Sequence, residues 1–135
     1  MRKFYIPIFV ALFITGCATT APPSNSEKAK LVGVSTPVVP VPGPIEHVYF
    51  TTVDGVEYKS VWSGYPEELE IDPGKRVVVV VCEWKPTTTG YILTEDVRRV
   101  EDTFKAGHVY KFTSTLEQTG GCLISYEDVT AMQSN

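Results

Sequence analysis

From residue 45 to about residue 130, apolar and polar positions fall in short runs divided by turn residues. The runs are rich in Val, Ile, Thr, Tyr and Phe, the composition of strands. Residues 45–53 form one run, ended by Asp54-Gly55, a hairpin signal because both residues tolerate positive φ. Residues 56–62 read as the returning strand. Glu68-Leu69-Glu70-Ile71 alternates polar and apolar, and Asp72-Pro73-Gly74-Lys75 then turns the chain, with Pro pre-setting φ and Gly taking a conformation closed to other residues. Residues 76–84 contain an unbroken run of valines from Val77 to Val81, which predicts a central strand covered on both faces. Residues 86–90 form a loop. Residues 96–104 are charged along their length, the pattern of an edge strand whose Arg and Glu deter sheet-to-sheet pairing. Ala106-Gly107 turns into residues 108–114, and Gly120-Gly121 precedes a last strand at 122–129. No segment carries the period of an amphipathic helix. The expected fold is all-β: a small antiparallel β-sandwich of about seven strands.

Upstream of residue 45 the pattern changes. Residues 31–34 read as a short first strand, and Pro37, Pro40, Pro42 and Pro44 then favour an extended, polyproline-like path. Residues 18–30 hold almost nothing that could pack, and such composition cannot offset its ordering entropy, so the expectation is a flexible tether. The chain opens Met1-Arg2-Lys3, followed by an apolar run over residues 4–15 that contains Pro7. That run is well short of the roughly 20 residues of a bilayer-spanning helix, and a basic start with a short apolar run marks a secretory signal that is removed.

The run ends in Ile14-Thr15-Gly16-Cys17, which resembles the bacterial lipobox. The resemblance implies cleavage between Gly16 and Cys17, diacylation of the Cys17 thiol and often a third acyl chain on the new amino group. Only Cys supplies a thiolate for alkylation, and two or three chains anchor stably where one binds reversibly. Ala18 stands next, where an Asp is absent, and in Gram-negative lipoproteins this implies an outer-membrane location, here facing the periplasm. The competing readings are an ordinary signal peptide with a chance cysteine, and an uncleaved signal anchor. The expected organisation is a signal peptide at 1–16, a lipidated, Pro-rich tether at 17–44, the sandwich at 45–130 and a disordered tail at 131–135.

Residues 17–135 carry ten basic against 16 acidic residues, a net charge of −6. Nucleic-acid binding, which leaves a basic footprint, is not expected, and an electrostatic grip on anionic lipid is opposed. With Cys17 assigned to lipid, Cys82 and Cys122 remain as an even pair in an exported and therefore oxidising setting. They read as a disulfide that would stabilise a small core by roughly 4 kcal/mol; the alternative is two separate buried thiols.

The turns Val53-Asp54-Gly55, Asp72-Pro73-Gly74-Lys75 and Ala106-Gly107-His108-Val109-Tyr110 follow an order that resembles small bacterial lipoprotein β-domains of the PEGA and DUF2846 types. The likeness spans about residues 48–126 and implies a compact sandwich in the cell envelope, with no established chemistry. Arg76 stands where that pattern often has His.

Candidate chemistry is sparse. His47 and His108 lie on different predicted strands with no nearby His or Cys, so no metal site is expected and their reading is strand-surface or turn contacts. The acidic neighbours Glu67-Glu68, Glu95-Asp96, Glu101-Asp102 and Glu127-Asp128 point to opposite strand faces and make poor acid–base pairs. Neither a nucleophile elbow nor a phosphate-binding glycine motif is present. No catalytic residue and no cofactor is expected. The aromatics Tyr49, Tyr58, Trp62, Tyr65, Trp84 and Tyr91 fall in hairpins and loops. They either fill the core or form a contact surface, and the loop carrying Trp62 and Tyr65 is the candidate binding element. The expectation is a non-enzymatic structural or protein-binding envelope module, with a membrane contact through the N-terminal lipid and an envelope protein as partner. The alternative is a small-ligand or glycan-binding lipoprotein using the same aromatics.

Overall fold

The structure, a computed structural model, describes residues 27–35, 37, 42–86 and 93–133. The expected signal peptide, Cys17, most of the tether and Tyr91 lie outside these residues. The described chain runs β1 (Ala29–Val32), β2 (Pro44–Val53), β3 (Val56–Glu57), β4 (Glu68–Ile71), β5 (Gly74–Pro86), β6 (Thr94–Phe104), β7 (Val109–Glu117) and β8 (Gly121–Asp128), then a 3₁₀ turn, Thr130–Gln133. The strands form two four-stranded sheets, ordered β4-β1-β7-β8 and β3-β2-β5-β6. Every named pairing is antiparallel except β1 with β7, where Leu31 sits opposite Tyr110. The molecule is an all-β sandwich, as the strand pattern predicts.

Alternation along each strand sends one set of side chains between the sheets. Val48 and Phe50 from β2, Val78, Val80 and Cys82 from β5, and Leu31, Phe112 and Ile124 from the facing sheet make the core. Phe50 meets Phe112 edge-on at 5.1 Å across the interface between sheets. Cys82 and Cys122 form a disulfide with a Cα–Cα distance of 6.4 Å, joining β5 of one sheet to β8 of the other. The valine run is central, with β2 on one side and β6 on the other. Its outward-facing members are less covered than the run predicts: Val81 is buried, while Val77 and Val79 are half-buried.

Strand β6 is an edge, as its charges predict. Asp96 and Asp102 fold back on it, accepting from the amides of Val97 at 2.8 Å and Thr103 at 2.7 Å. Two polar clamps close the seam to β8: Arg98 donates to the Ile124 carbonyl, and the Tyr126 hydroxyl donates to Asp102 at 2.5 Å.

At two places the fold departs from the sequence reading. The fold starts upstream of residue 45: Ala29 and Leu31 are fully buried, and β1 lies between β4 and β7. The short strand expected at 31–34 is present but runs Ala29–Val32, starting inside the expected tether, and its parallel partner lies far along the chain. The return after Asp54-Gly55 is also brief. β3 holds two residues, after which the chain leaves the sheet edge and makes its own turn, with Ser60 and Gly64 bridged. Arg76, at the position where the resembled pattern often has His, ties two turns together: Nη1 is 3.0 Å from Asp54 Oδ2, and Nε and Nη2 donate to the carbonyls of Asp72 and Pro73.

Candidate binding surface

The two residues singled out in the aromatic loop have different fates. The 60–64 turn is held by paired backbone hydrogen bonds, Ser60 N to Gly64 O at 2.8 Å and Gly64 N to Ser60 O at 3.1 Å. Inside it the Ser60 hydroxyl accepts from the amides of Trp62 and Ser63 at 3.3 and 3.4 Å. Gly64 adopts φ 72°, which lets the chain close without strain. Trp62 stands at the tip 96% exposed, with Val61 beside it at 94%. Tyr65 instead folds back onto the sheet. Its ring stacks on Tyr49 at 5.7 Å, its hydroxyl donates to Glu57 at 2.5 Å, and Lys59 Nζ lies 5.4 Å from its centroid. The core reading of the aromatics suits Trp84, which is half-buried against the core and donates from Nε1 to Ser114 Oγ at 3.0 Å.

Beside Tyr65 an open cleft of about 200 Å³ is lined by His47, Tyr49, Ser63, Gly64, Tyr65, Glu67, Glu83 and Lys85. Strands β2 and β5 set its floor. His47 pairs with Glu83 in register, and Tyr49 with Val81, so a charged side chain follows directly on the apolar run. Glu83 is only 7% exposed. The Tyr49 hydroxyl donates to its Oε1 at 2.8 Å, and Lys85 Nζ lies 2.7 Å from Oε2. His47 Nε2 is 2.9 Å from Glu67 Oε1, while Nδ1 faces Glu83 Oε2 at 3.5 Å, too long for a good hydrogen bond.

Burial pushes the Tyr49 phenol well above its ordinary range, and its hydrogen bond to Glu83 adds to this. Burial works to raise Glu83 as well, but the contacts from Lys85, Tyr49 and His47 outweigh it and hold the carboxyl below its usual value. The cleft therefore contains a carboxylate hydrogen-bonded through Oε1 and ion-paired at Oε2, a phenol that keeps its proton and a lysine with N–H donors to spare. That set offers charge and hydrogen-bonding groups for recognition, and His47 Nδ1 and Glu83 Oε2 are buried without a hydrogen-bond partner.

The chain matches no family model, no curated protein and no solved structure.

Elsewhere two pairs of acidic neighbours diverge. Glu67 turns to His47 while Glu68 pairs with Lys30 at 3.0 Å, and Glu101 pairs with Lys75 at 3.1 Å while Asp102 meets Tyr126. His108 packs at its turn, with Nδ1 2.6 Å from Asp128 Oδ2. Among the described residues no group of three or more His, Cys, Asp or Glu could hold a metal ion, and no helix is long and apolar enough to cross a membrane. Sequence reasoning did not bring His47, Tyr49, Glu67, Glu83 and Lys85 together. The one local signal was Glu83 itself, a charge that follows directly on the apolar stretch Val77 to Cys82 of the central strand.

Proposed function

We propose that this chain is a lipid-anchored cell-envelope protein, held in the outer membrane through Cys17 and facing the periplasm, whose β-sandwich is a non-enzymatic module that binds an envelope protein. The lipobox at residues 14–17 and Ala18 support the anchor and its location. The observation that carries the binding reading is the cleft beside Tyr65. Its volume of about 200 Å³ is below the roughly 300–1,000 Å³ of small-molecule sites and leaves room for one inserted side chain. Hydrogen bonds to Glu67, Glu83 and Glu57 hold His47, Tyr49 and Tyr65 in place, so a partner meets a surface that is largely organised already.

A second reading has one feature in its favour. The stacked Tyr49–Tyr65 pair gives a flat aromatic wall next to donors on Ser63 and Lys85, an arrangement a sugar ring could use. Substituting Tyr65→Ala and Lys85→Ala in the full chain separates the two. Loss of a protein co-purifying from solubilised envelopes, with soluble-glycan binding absent throughout, supports the protein partner; glycan binding that the substitutions abolish supports the second. If both variants fold and neither binding changes, the cleft is not the site. The anchor is tested by intact mass of the membrane-extracted chain. A mass of residues 17–135 plus acyl chains is expected, and a mass retaining residues 1–16 or lacking lipid removes the anchor.

A further inference from the structure

Val61 and Trp62 take no part in the cleft's hydrogen bonds and are the two most exposed large apolar residues described. The backbone of this tip is braced: two backbone hydrogen bonds close its base and the Ser60 hydroxyl accepts from two amides in its interior. Tyr58 N also donates to Thr51 O at 2.9 Å, and Phe50 N to Pro66 O at 2.9 Å, so both legs of the loop are bonded to β2. The fold thus holds the backbone of the tip in place, with its tryptophan outward.

We infer that this Val61-Trp62 tip inserts into the interface of the bilayer that carries the chain's own lipid, seating the sandwich on the membrane at a second point. The inference rests on the Cys17 anchor proposed above.

Three observations choose a bilayer over a protein socket. The first is extent. The tip offers two apolar side chains flanked by Ser60 and Ser63, whereas a stable protein interface needs about 800 Å² from each partner. The second is composition. Tryptophan is enriched at membrane–water interfaces because its ring is apolar and its N–H is a donor, and Lys59 is the one charged residue from 58 to 66. The third is reach. Ten peptide steps lie between Cys17 and Glu27, and at the maximum rise per residue they span about 35 Å, so the domain cannot leave the neighbourhood of the bilayer. Confinement of that kind gives an effective concentration in the millimolar range, at which a contact too weak to recruit a free domain is still populated. The net charge of −6 opposes anionic surfaces, so zwitterionic lipid is the expected host.

Trp62 and Trp84 are the chain's two tryptophans, which makes fluorescence the test. Full-length lipidated chain is reconstituted into phosphatidylcholine vesicles with or without bromolipid, and flotation confirms anchoring. In Trp84→Phe, where Trp62 alone reports, emission is expected to shift to the blue and to be largely lost with bromolipid. Trp62→Phe, reporting Trp84, is expected to change little. Should Trp84→Phe unfold, the difference between wild type and Trp62→Phe gives the same reading. Chain that floats while Trp62 stays red-emitting and unquenched overturns the inference with the anchor intact. Chain that does not float overturns both. Trp62 protected from acrylamide in native envelopes but not in the vesicles marks a protein socket, and also overturns it.

Discussion

Gly33 lies against the carbonyl of Val48 so closely that a β-carbon on it would overlap the oxygen, with the Glu67 carbonyl 3.2 Å away on another side. This is where the chain leaves one sheet for the other. Residues 29–32 pair within the β4-β1-β7-β8 sheet, while Val34 bridges to Val48 in the second. Both neighbours are backbone, held by hydrogen bonds from Gly33 N to Glu67 O at 2.6 Å and from Val34 N to Val48 O at 3.1 Å, so neither can yield without loss of pairing.

Gly33→Ala is therefore expected to destabilise the fold by about 3 kcal/mol, the scale of severe overpacking. Urea unfolding checks it. An unchanged midpoint would mean that the crossing can move aside freely.

Ser114 sits at a junction of three strands. Its hydroxyl accepts from Trp84 Nε1 at 3.0 Å and donates to Glu46 Oε1 at 3.0 Å, and its amide donates to the same oxygen. Removing the hydroxyl leaves the indole N–H of Trp84 without its acceptor in a half-buried site. Ser114→Ala should destabilise by about 1–2 kcal/mol with a blue shift of Trp84 emission, read by chemical denaturation in the Trp62→Phe background. Ser114→Thr, which keeps the hydroxyl, should recover most of the loss.

The fold was legible where a single residue forces the backbone. Asp54-Gly55 and Pro73-Gly74 gave their turns, the charges of 96–104 gave the edge, and the lone pair of cysteines gave the bridge between sheets. What was not legible depends on neighbours distant in sequence. Leu31 is a core residue because Tyr110 lies beside it in parallel register, and no local pattern encodes that pairing. The cleft shows the same limit. Glu83 stands out only as a charge after the valines and Tyr49 only as one aromatic among several, and their convergence with Lys85 follows from the β2–β5 register together with the fold-back of Tyr65. The split between Trp62 and Tyr65, one presented and one packed, turns on Gly64, whose positive φ reverses the chain between them.

Asp128 controls part of the acid limb of stability. The Thr130 hydroxyl donates to it, His108 faces it and the Thr130 amide adds a third contact, which together pull its pKa from 3.8 to about 2. A carboxyl depressed in the folded state stabilises above its unfolded value, and that contribution disappears as pH falls through the folded value. Loss is thus expected between about pH 4 and pH 2. Asp54, Asp72, Asp102 and Glu83 are also held low and act in the same direction. Asp128→Asn should accordingly flatten, and not abolish, the fall in denaturation midpoint over that range. A slope equal to wild type would show that the contacts to Asp128 persist in the unfolded chain or do not form.

The disulfide is the last element on which stability turns. Cys82 is fully buried in the central strand, Cys122 is nearly so, and the bond closes a separation of 40 residues between the two sheets. In the chain-entropy account a loop of that length restricts the unfolded ensemble by about 4 kcal/mol, a large share of the roughly 5–15 kcal/mol that holds a domain folded. Replacing both residues by Ala also removes buried sulfur, so the double variant should lose somewhat more than reduction alone. Guanidinium unfolding with and without reductant, followed through Trp84, separates the two contributions. If reduction lowers the midpoint only marginally, the sheets are held by Phe50, Phe112 and their neighbours, and the bond is redundant. A large loss would mean that the domain reaches its working stability only where thiols are oxidised, which accords with an envelope location.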